Sequence, residues 1–156
     1  MNRHVRFLSI LGLLLTLALS APAIAQDANT PPQVGLRPDA PTYALHGPYW
    51  VGTMQMQLQD GDRTIPITLW YPALNPENQA ETITYEPIMK WTPMPEMDYP
   101  IAGHALLNAT PAPSDTPYPL FVFSHGLATS PAWYSYLLEH VASYGFVVIA
   151  PDHLET

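Results

Sequence analysis

The chain has 156 residues, of which five are basic and thirteen acidic, and it contains no cysteine. Its formal net charge of −8 repels phosphate backbones, which argues against a nucleic-acid partner, and the lack of cysteine excludes disulfides and thiol chemistry within these residues. The length suits one domain, and with 47% hydrophobic residues the chain can build a core.

The first 25 residues have the pattern of a secretory signal peptide. Arg3 and Arg6 precede an apolar stretch that runs over residues 7–21, and Ala23-Ile24-Ala25 is a small-residue cleavage site. The apolar stretch is shorter than the roughly 20 residues that a spanning helix needs, so cleavage is favoured over a retained anchor. Residues 26–46 follow as an extended leader that is rich in proline and lacks an apolar period. The sequence therefore predicts a secreted or periplasmic protein that meets a membrane only through the signal peptide before cleavage.

Two alternating segments come next and predict an antiparallel hairpin. Apolar residues alternate with glutamine over residues 54–59 and recur at every second position over residues 65–71. The turn signal Asp60-Gly61-Asp62 joins the two strands. Pro66 has no N–H, so it places its strand near a sheet edge or occupies an unpaired position.

The predicted domain spans residues 47–156, and residues 72–117 form a proline-rich insert within it that is hard to interpret. Residues 101–107 are apolar enough to form a short helix. An insert of this length inside a compact domain is usually functional or disordered.

A strand, a helix and a second strand are predicted after the insert. The strands are residues 118–124 and 146–150, and Gly145 ends the helix between them. Ser130 can cap that helix and Pro131 suits its first position. Four residues at helical spacing form the predicted buried stripe: Tyr134, Leu137, Leu138 and Val141.

The two later strands are near-continuous apolar runs, which is typical of central parallel strands with helices on both faces. The sequence supplies one good amphipathic helix, and one helix covers one face. The predicted fold class is therefore α/β, as the first, incomplete part of a larger sheet: an antiparallel hairpin, then strand, loop, helix and strand.

The order of motifs resembles the secreted α/β-hydrolases, in particular the platelet-activating-factor acetylhydrolase-like and dienelactone-hydrolase-like esterases. The resemblance is carried by Phe123-Ser124-His125-Gly126-Leu127, by the helix to Gly145, and by Val147-Val148-Ile149-Ala150-Pro151-Asp152-His153. Upstream, Gly47-Pro48-Tyr49-Trp50-Val51-Gly52 and Thr68-Leu69-Trp70-Tyr71-Pro72-Ala73 are similar to the beginning of the acetylhydrolase-like group.

The resemblance implies a role for the loop after the strand that ends near Ser124. In this fold that loop supplies one backbone N–H of the oxyanion hole, and the matching residue is Leu127. The resemblance also implies a substrate cleft, whose candidate residues are His125, Gly126, Ala128, Trp133 and His153.

The catalytic triad that the resemblance implies is missing from these residues. No glycine has serine at +2 and glycine at +4, so the G-x-S-x-G elbow is absent, and we expect the chain alone to have no hydrolytic turnover. Ser124 and His125 are neighbours on extended backbone and point apart, so we interpret Ser124 as a structural hydroxyl and His125 as ordering the loop. Asp152 and His153 could wall the cleft or simply form a turn.

The expected function is that of the N-terminal part of an exported serine hydrolase of small-molecule or polymeric carboxylic esters, lipid-like esters included. No cofactor is expected, since the sequence has neither metal-ligand spacing among its histidines nor a glycine-rich phosphate motif. Two alternatives stay open at this point. One is a complete small exported binding or structural module, and the other is a same-fold dienelactone hydrolase or peptidase.

Overall fold

A mixed five-stranded sheet with one α-helix packed against it forms the body of the chain in a computed structural model, which describes residues 41–89, 97–98 and 100–152. The described strands are β1 (Trp50–Asp60), β2 (Arg63–Ala73), β3 (Ile83–Tyr85), β4 (Ile88–Met89), β5 (Met97–Asp98), β6 (Ile101–Gly103), β7 (Leu106–Leu107), β8 (Leu120–Val122) and β9 (Val147–Pro151). The described helices are 3₁₀ turns at Thr42–Ala44 and Pro131–Tyr134, and α1 (Ser135–Ser143). The predicted signal peptide and residues 26–40 of the predicted leader lie outside the described residues, while the rest of the leader, residues 41–46, contains the 3₁₀ turn at Thr42–Ala44.

The strand order in the large sheet is β7-β1-β2-β9-β8, and β3–β6 and β4–β5 form separate two-stranded ladders. β8 and β9 are parallel and α1 lies between them in the chain, while β1 and β2 are antiparallel. This is the predicted succession of hairpin, strand, loop, helix and strand, and the α/β class is confirmed. No helix among these described ranges is long and apolar enough to cross a membrane.

The predicted hairpin forms around a two-residue turn. Asp60 pairs with Arg63, and Gly61 has a φ of 61°, the value that the first central residue of a type II′ turn takes. β2 lies between β1 and β9, so the edge position considered for Pro66 is wrong. The alternative holds: the Pro66 carbonyl accepts from Asp152 N–H at 2.8 Å, beyond the end of the β2–β9 ladder. In an antiparallel pair both backbone groups of a residue point to the same side, so the missing N–H faces Asp152, one residue past the end of β9.

The insert contributes short strands, and the helix considered for residues 101–107 is wrong. That segment forms β6, which pairs with β3, and β7, which adds a parallel strand beside β1. Apolar content alone does not separate a short helix from two short strands. Here pairing with preformed strands decides the conformation.

α1 buries a stripe shifted by one residue from the predicted one. Ser135, Leu138, Glu139 and Ala142 are buried at i, i+3, i+4 and i+7, whereas Leu137 is 39% exposed. The predicted stripe begins at Tyr134, which belongs to the preceding 3₁₀ turn with its tighter winding. The small residues of the true stripe let the helix approach the sheet closely, and Gly145 follows its end with a φ of 93° as predicted.

Only the helix side of β8 and β9 is well covered among the described residues. Val148 and Ala150 are fully buried, while Leu120 and Val122 are 60% and 63% exposed. The apolar runs predict burial on both faces. Within the described ranges α1 covers one of them.

A hydrogen-bonded chain crosses the core from the sheet to α1. The Trp70 indole N–H donates to Tyr85 Oη at 2.8 Å, and that hydroxyl donates to Glu139 Oε1 at 2.7 Å. The backbone N–H of His104 donates to Glu139 Oε2 at 2.9 Å. Glu139 is only 4% exposed, so both its oxygens are satisfied by groups from β3 and the β6–β7 connection.

The unfolding free energy is expected to fall as pH rises above 4.5. Burial of Glu139 raises the pKa of its carboxyl above 4.5, and the Glu81 charge adds to this, although the bonds from His104 N–H and Tyr85 oppose it. When folding raises the pKa of a carboxyl, its contribution to the free energy of unfolding is complete at pH values below the pKa of the unfolded state. That contribution is lost as the pH rises through the pKa of the folded state. Urea titrations of the protein and of its Glu139→Gln variant, from acid to neutral pH, measure the free energy of unfolding at each pH. A Glu139→Gln variant whose free energy of unfolding falls as steeply with pH as that of the parent would contradict the prediction.

A close backbone contact predicts that a side chain at position 47, in place of Gly47, destabilises the fold. A Cβ there would lie 2.1 Å from the carbonyl oxygen of Ser143, where no side chain can yield. Gly47→Ala is expected to lower stability by about 1–3 kcal/mol or more, because the end of α1 must move. Gly126→Ala is the matched control: its nearest contact would be Tyr134 Oη at 3.6 Å, so it is expected to be neutral or stabilising by up to about 1 kcal/mol. Equal thermal midpoints for the two variants would contradict the prediction.

Candidate active site

The loop between β8 and the 3₁₀ turn at Pro131–Tyr134 is built around a tight turn over residues 126–129. The Thr129 N–H donates to the Gly126 carbonyl at 3.3 Å, which closes the turn. Ala128, its third residue, has a φ of 56°, the left-handed region that the third position of a type II turn occupies. A side chain in this region costs of order 1–3 kcal/mol, and such strain concentrates at functional sites.

The Gly126 carbonyl is the point on which the loop is anchored. Besides the Thr129 N–H, it accepts a hydrogen bond from Thr129 Oγ1 at 2.8 Å, and His125 Nδ1 lies 2.9 Å from it. His125 Nε2 lies 3.3 Å from Asp152 Oδ1, at the end of β9. The side chain of His125 has no exposed surface, so the ring links the loop to the sheet from within the fold.

Leu127 lies at the tip of this turn. It is 79% exposed, and its backbone N–H has no hydrogen-bond acceptor among the residues that the structure describes. An exposed, unpaired N–H on a rigidly anchored peptide can donate to a negatively charged oxygen without first breaking another bond. That is the chemistry expected of an oxyanion-hole donor.

A cleft of about 720 Å³ opens beside the loop. Ala128 and the segment up to Ala132 form one wall, Asp152 lies at the end of β9, and residues of β1, β2 and β3 complete it. Its lining includes the carboxylates of Glu86 and Asp152 and no lysine, arginine or histidine among the described residues. This charge disfavours an anionic ligand.

The remaining predicted cleft residues are placed differently. Gly126 and Leu127 are exposed on the loop, while His125 is buried beneath it, and none of the three lines this cleft. Trp133 lies partly buried in the 3₁₀ turn, also outside the cleft lining. His153 lies outside the described residues. Ser124 is exposed and His125 is buried, so these neighbours occupy different environments.

Sequence reasoning missed the contact of His125 with Asp152 and the role of Thr129. The sequence leaves Asp152 as either a cleft wall or a turn residue, and the structure shows it lining the cleft and pairing with His125. The available signal was the position of Asp152 at the end of a strand that is parallel to β8, since parallel strands end at the same sheet edge. Within the described ranges, no group of three or more histidine and acidic side chains is placed to hold a metal ion.

The chain is similar to several known proteins. A protein of Schizosaccharomyces pombe described as "Putative phospholipase A2" is 33% identical over 111 residues, which are 58% of this chain and 24% of that protein. A ferulic acid esterase from Streptomyces cinnamoneus is 28% identical, with a TM-score of 0.46, over 67% of this chain and 34% of that one. The chain thus spans about a quarter and a third of the lengths of these two proteins.

Residues 79–156, half of the chain, match the sequence model of the chlorophyllase family. The chain therefore belongs to the chlorophyllase family, among the α/β-hydrolase-like esterases.

Proposed function

We propose that this chain is the N-terminal part of an exported serine carboxylic-ester hydrolase, in which it supplies one oxyanion-hole donor. The observation that carries the proposal is the N–H of Leu127, which has no acceptor among the described residues and belongs to a residue 79% exposed, on a loop anchored through Gly126. Family membership supports the reaction class, because the named relatives are a phospholipase and an esterase. Each of those names describes cleavage of an ester bond.

In the proposed reaction a serine outside these 156 residues attacks the ester carbonyl and forms an acyl-enzyme, which water then hydrolyses. Negative charge develops on the carbonyl oxygen, and the Leu127 N–H donates to it. A second donor is the backbone N–H of the residue after that serine. The chain of 156 residues by itself is proposed to be inactive, since no G-x-S-x-G segment is present.

The proposed substrate is an uncharged carboxylic ester, whether small, lipid-like or polymeric. The acidic lining of the cleft beside Ala128 supports this, because a carboxylate or phosphate next to Glu86 and Asp152 would be repelled. The thirteen acidic residues of the sequence act in the same direction at longer range. A nucleic acid is therefore not proposed as a partner.

Export is proposed from residues 1–25 alone. A mass spectrum of the protein recovered from the periplasm or medium, beginning at Gln26, would support cleavage after Ala25. Recovery of the intact N-terminus from the membrane fraction would contradict it.

The reaction is tested on the full-length protein with neutral p-nitrophenyl esters of increasing acyl length and with a fluorophosphonate probe, which labels an activated serine. Hydrolysis together with labelling of one serine is expected. Hydrolysis that a thiol reagent abolishes, without fluorophosphonate labelling, would instead indicate a cysteine nucleophile. No turnover and no labelling would contradict the proposal.

A further inference from the structure

We propose that Thr129 and Asp152 are positioning residues, which together fix the direction and donor strength of the Leu127 N–H. The inference deepens the proposed function and rests on it. Neither side chain needs to touch the reacting ester. Each acts through the Gly126 carbonyl, Thr129 directly and Asp152 through His125.

The Gly126 carbonyl and the Leu127 N–H belong to one peptide group. A peptide group is planar, and in the trans form its C=O and N–H point in opposite directions. Any contact that holds the carbonyl therefore aims the N–H the other way. Thr129 and His125 hold the carbonyl on their side of the peptide, so the N–H of Leu127 points away from both of them, and Leu127 itself is 79% exposed.

Hydrogen bonds to the carbonyl also polarise the peptide group. Successive hydrogen bonds along one chain of groups strengthen one another, so a carbonyl with several donors leaves its N–H a better donor. The Gly126 carbonyl has two donors from Thr129, at 3.3 Å from N and 2.8 Å from Oγ1, and the imidazole of His125 at 2.9 Å. Three contacts on one carbonyl exceed what closure of a turn requires.

The Thr129 hydroxyl is the contact that a substitution can remove most cleanly. Valine has nearly the same shape as threonine and lacks the oxygen, while serine keeps the hydroxyl and loses the methyl group. The backbone N–H of Thr129 remains in both variants, so the turn itself stays closed. A difference between the two variants therefore reports on the side-chain hydrogen bond.

Asp152 acts one step further from the peptide. Its Oδ1 faces Nε2 of the His125 ring, whose other nitrogen faces the Gly126 carbonyl. Both oxygens are acceptors, so both contacts are hydrogen bonds when each ring nitrogen carries a proton, and in that form the carboxylate sets the orientation of the imidazole. The ring has no exposed surface and Asp152 has 35%, which places the carboxylate between the buried ring and the cleft. The substitution Asp152→Asn retains an acceptor oxygen at this position, whereas Asp152→Ala removes it.

The test compares Thr129→Val with Thr129→Ser, and Asp152→Ala with Asp152→Asn, in the full-length protein acting on a neutral p-nitrophenyl ester. Thr129→Val and Asp152→Ala are expected to lower kcat about tenfold with little change in KM, because the N–H donates most strongly in the transition state. Thr129→Ser and Asp152→Asn are expected to recover most of the loss. Equal losses within each pair, or a change in KM alone, would overturn the proposal.

A second measurement separates this inference from the proposed function. The ¹⁵N order parameter of the Leu127 amide is expected to fall in Thr129→Val and to be restored in Thr129→Ser, with or without turnover. If the protein hydrolyses no ester but the order parameter responds in this way, the positioning holds and the proposed reaction fails. An order parameter that is the same in parent and Thr129→Val would overturn the positioning itself.

Discussion

Leu127→Pro in the full-length protein is expected to lower kcat for ester hydrolysis by about 10²–10³-fold. Proline removes the backbone N–H at this position and keeps the rest of the backbone. Loss of one oxyanion-hole donor costs about that much, or roughly 3–4 kcal/mol of transition-state stabilisation. The second position of a type II turn accommodates proline, and Leu127 occupies that position in the turn closed by Thr129. Steady-state kinetics on a neutral ester measure the loss.

Leu127→Ala is the matched control, because it truncates the exposed side chain and keeps the N–H. Its loss of kcat is expected to be far smaller than that of the proline variant. Thermal melts of both variants establish that the fold is retained. Similar kcat values for the parent and a folded Leu127→Pro protein would remove Leu127 from the oxyanion hole, and with it the main support for the proposed function.

Glu139→Ala is expected to lower the free energy of unfolding by about 2–6 kcal/mol. The change leaves the buried Tyr85 hydroxyl and the part-buried His104 N–H without their acceptor. Each unsatisfied buried donor costs about 1–3 kcal/mol, and the cavity left by the side chain adds to the loss. Urea denaturation monitored by circular dichroism at neutral pH measures the difference.

Two further variants locate the cause of that loss. Glu139→Gln keeps the volume and one acceptor oxygen, and we expect a smaller cost than for alanine. Glu86→Ala changes the same residue type at an exposed position, and its effect is expected to stay within about 0.5 kcal/mol. A Glu139→Ala protein as stable as Glu86→Ala would mean that the buried carboxylate does not stabilise the core.

The sequence predicted those elements whose pattern is local. The hairpin followed from alternation and a turn signal, and the β8–α1–β9 unit followed from two apolar runs around one amphipathic segment. The loop motif then placed Leu127 in the loop that follows a strand, where the structure has it exposed.

What the sequence missed depends on partners distant in the chain. Nothing around Glu139 indicates burial, because its two donors lie 54 and 35 residues earlier. The His125–Asp152 contact needs the parallel pairing of β8 and β9 before it can be seen. Residues 101–107 become strands because β1 and β3 offer free edges with which they pair. The intrinsic conformational preference of a short apolar run is too weak to outweigh this pairing.

The chain from Trp70 through Tyr85 to Glu139 has one more consequence. Indole emission responds to the polarity and charge at its nitrogen, and the Trp70 nitrogen is separated from the Glu139 carboxylate by a single hydroxyl. The fluorescence of Trp70 is therefore expected to change when the Glu139 carboxyl ionises. A fluorescence difference between the parent and Trp70→Phe would report the ionisation of a carboxyl group that solvent barely reaches, without any attached dye.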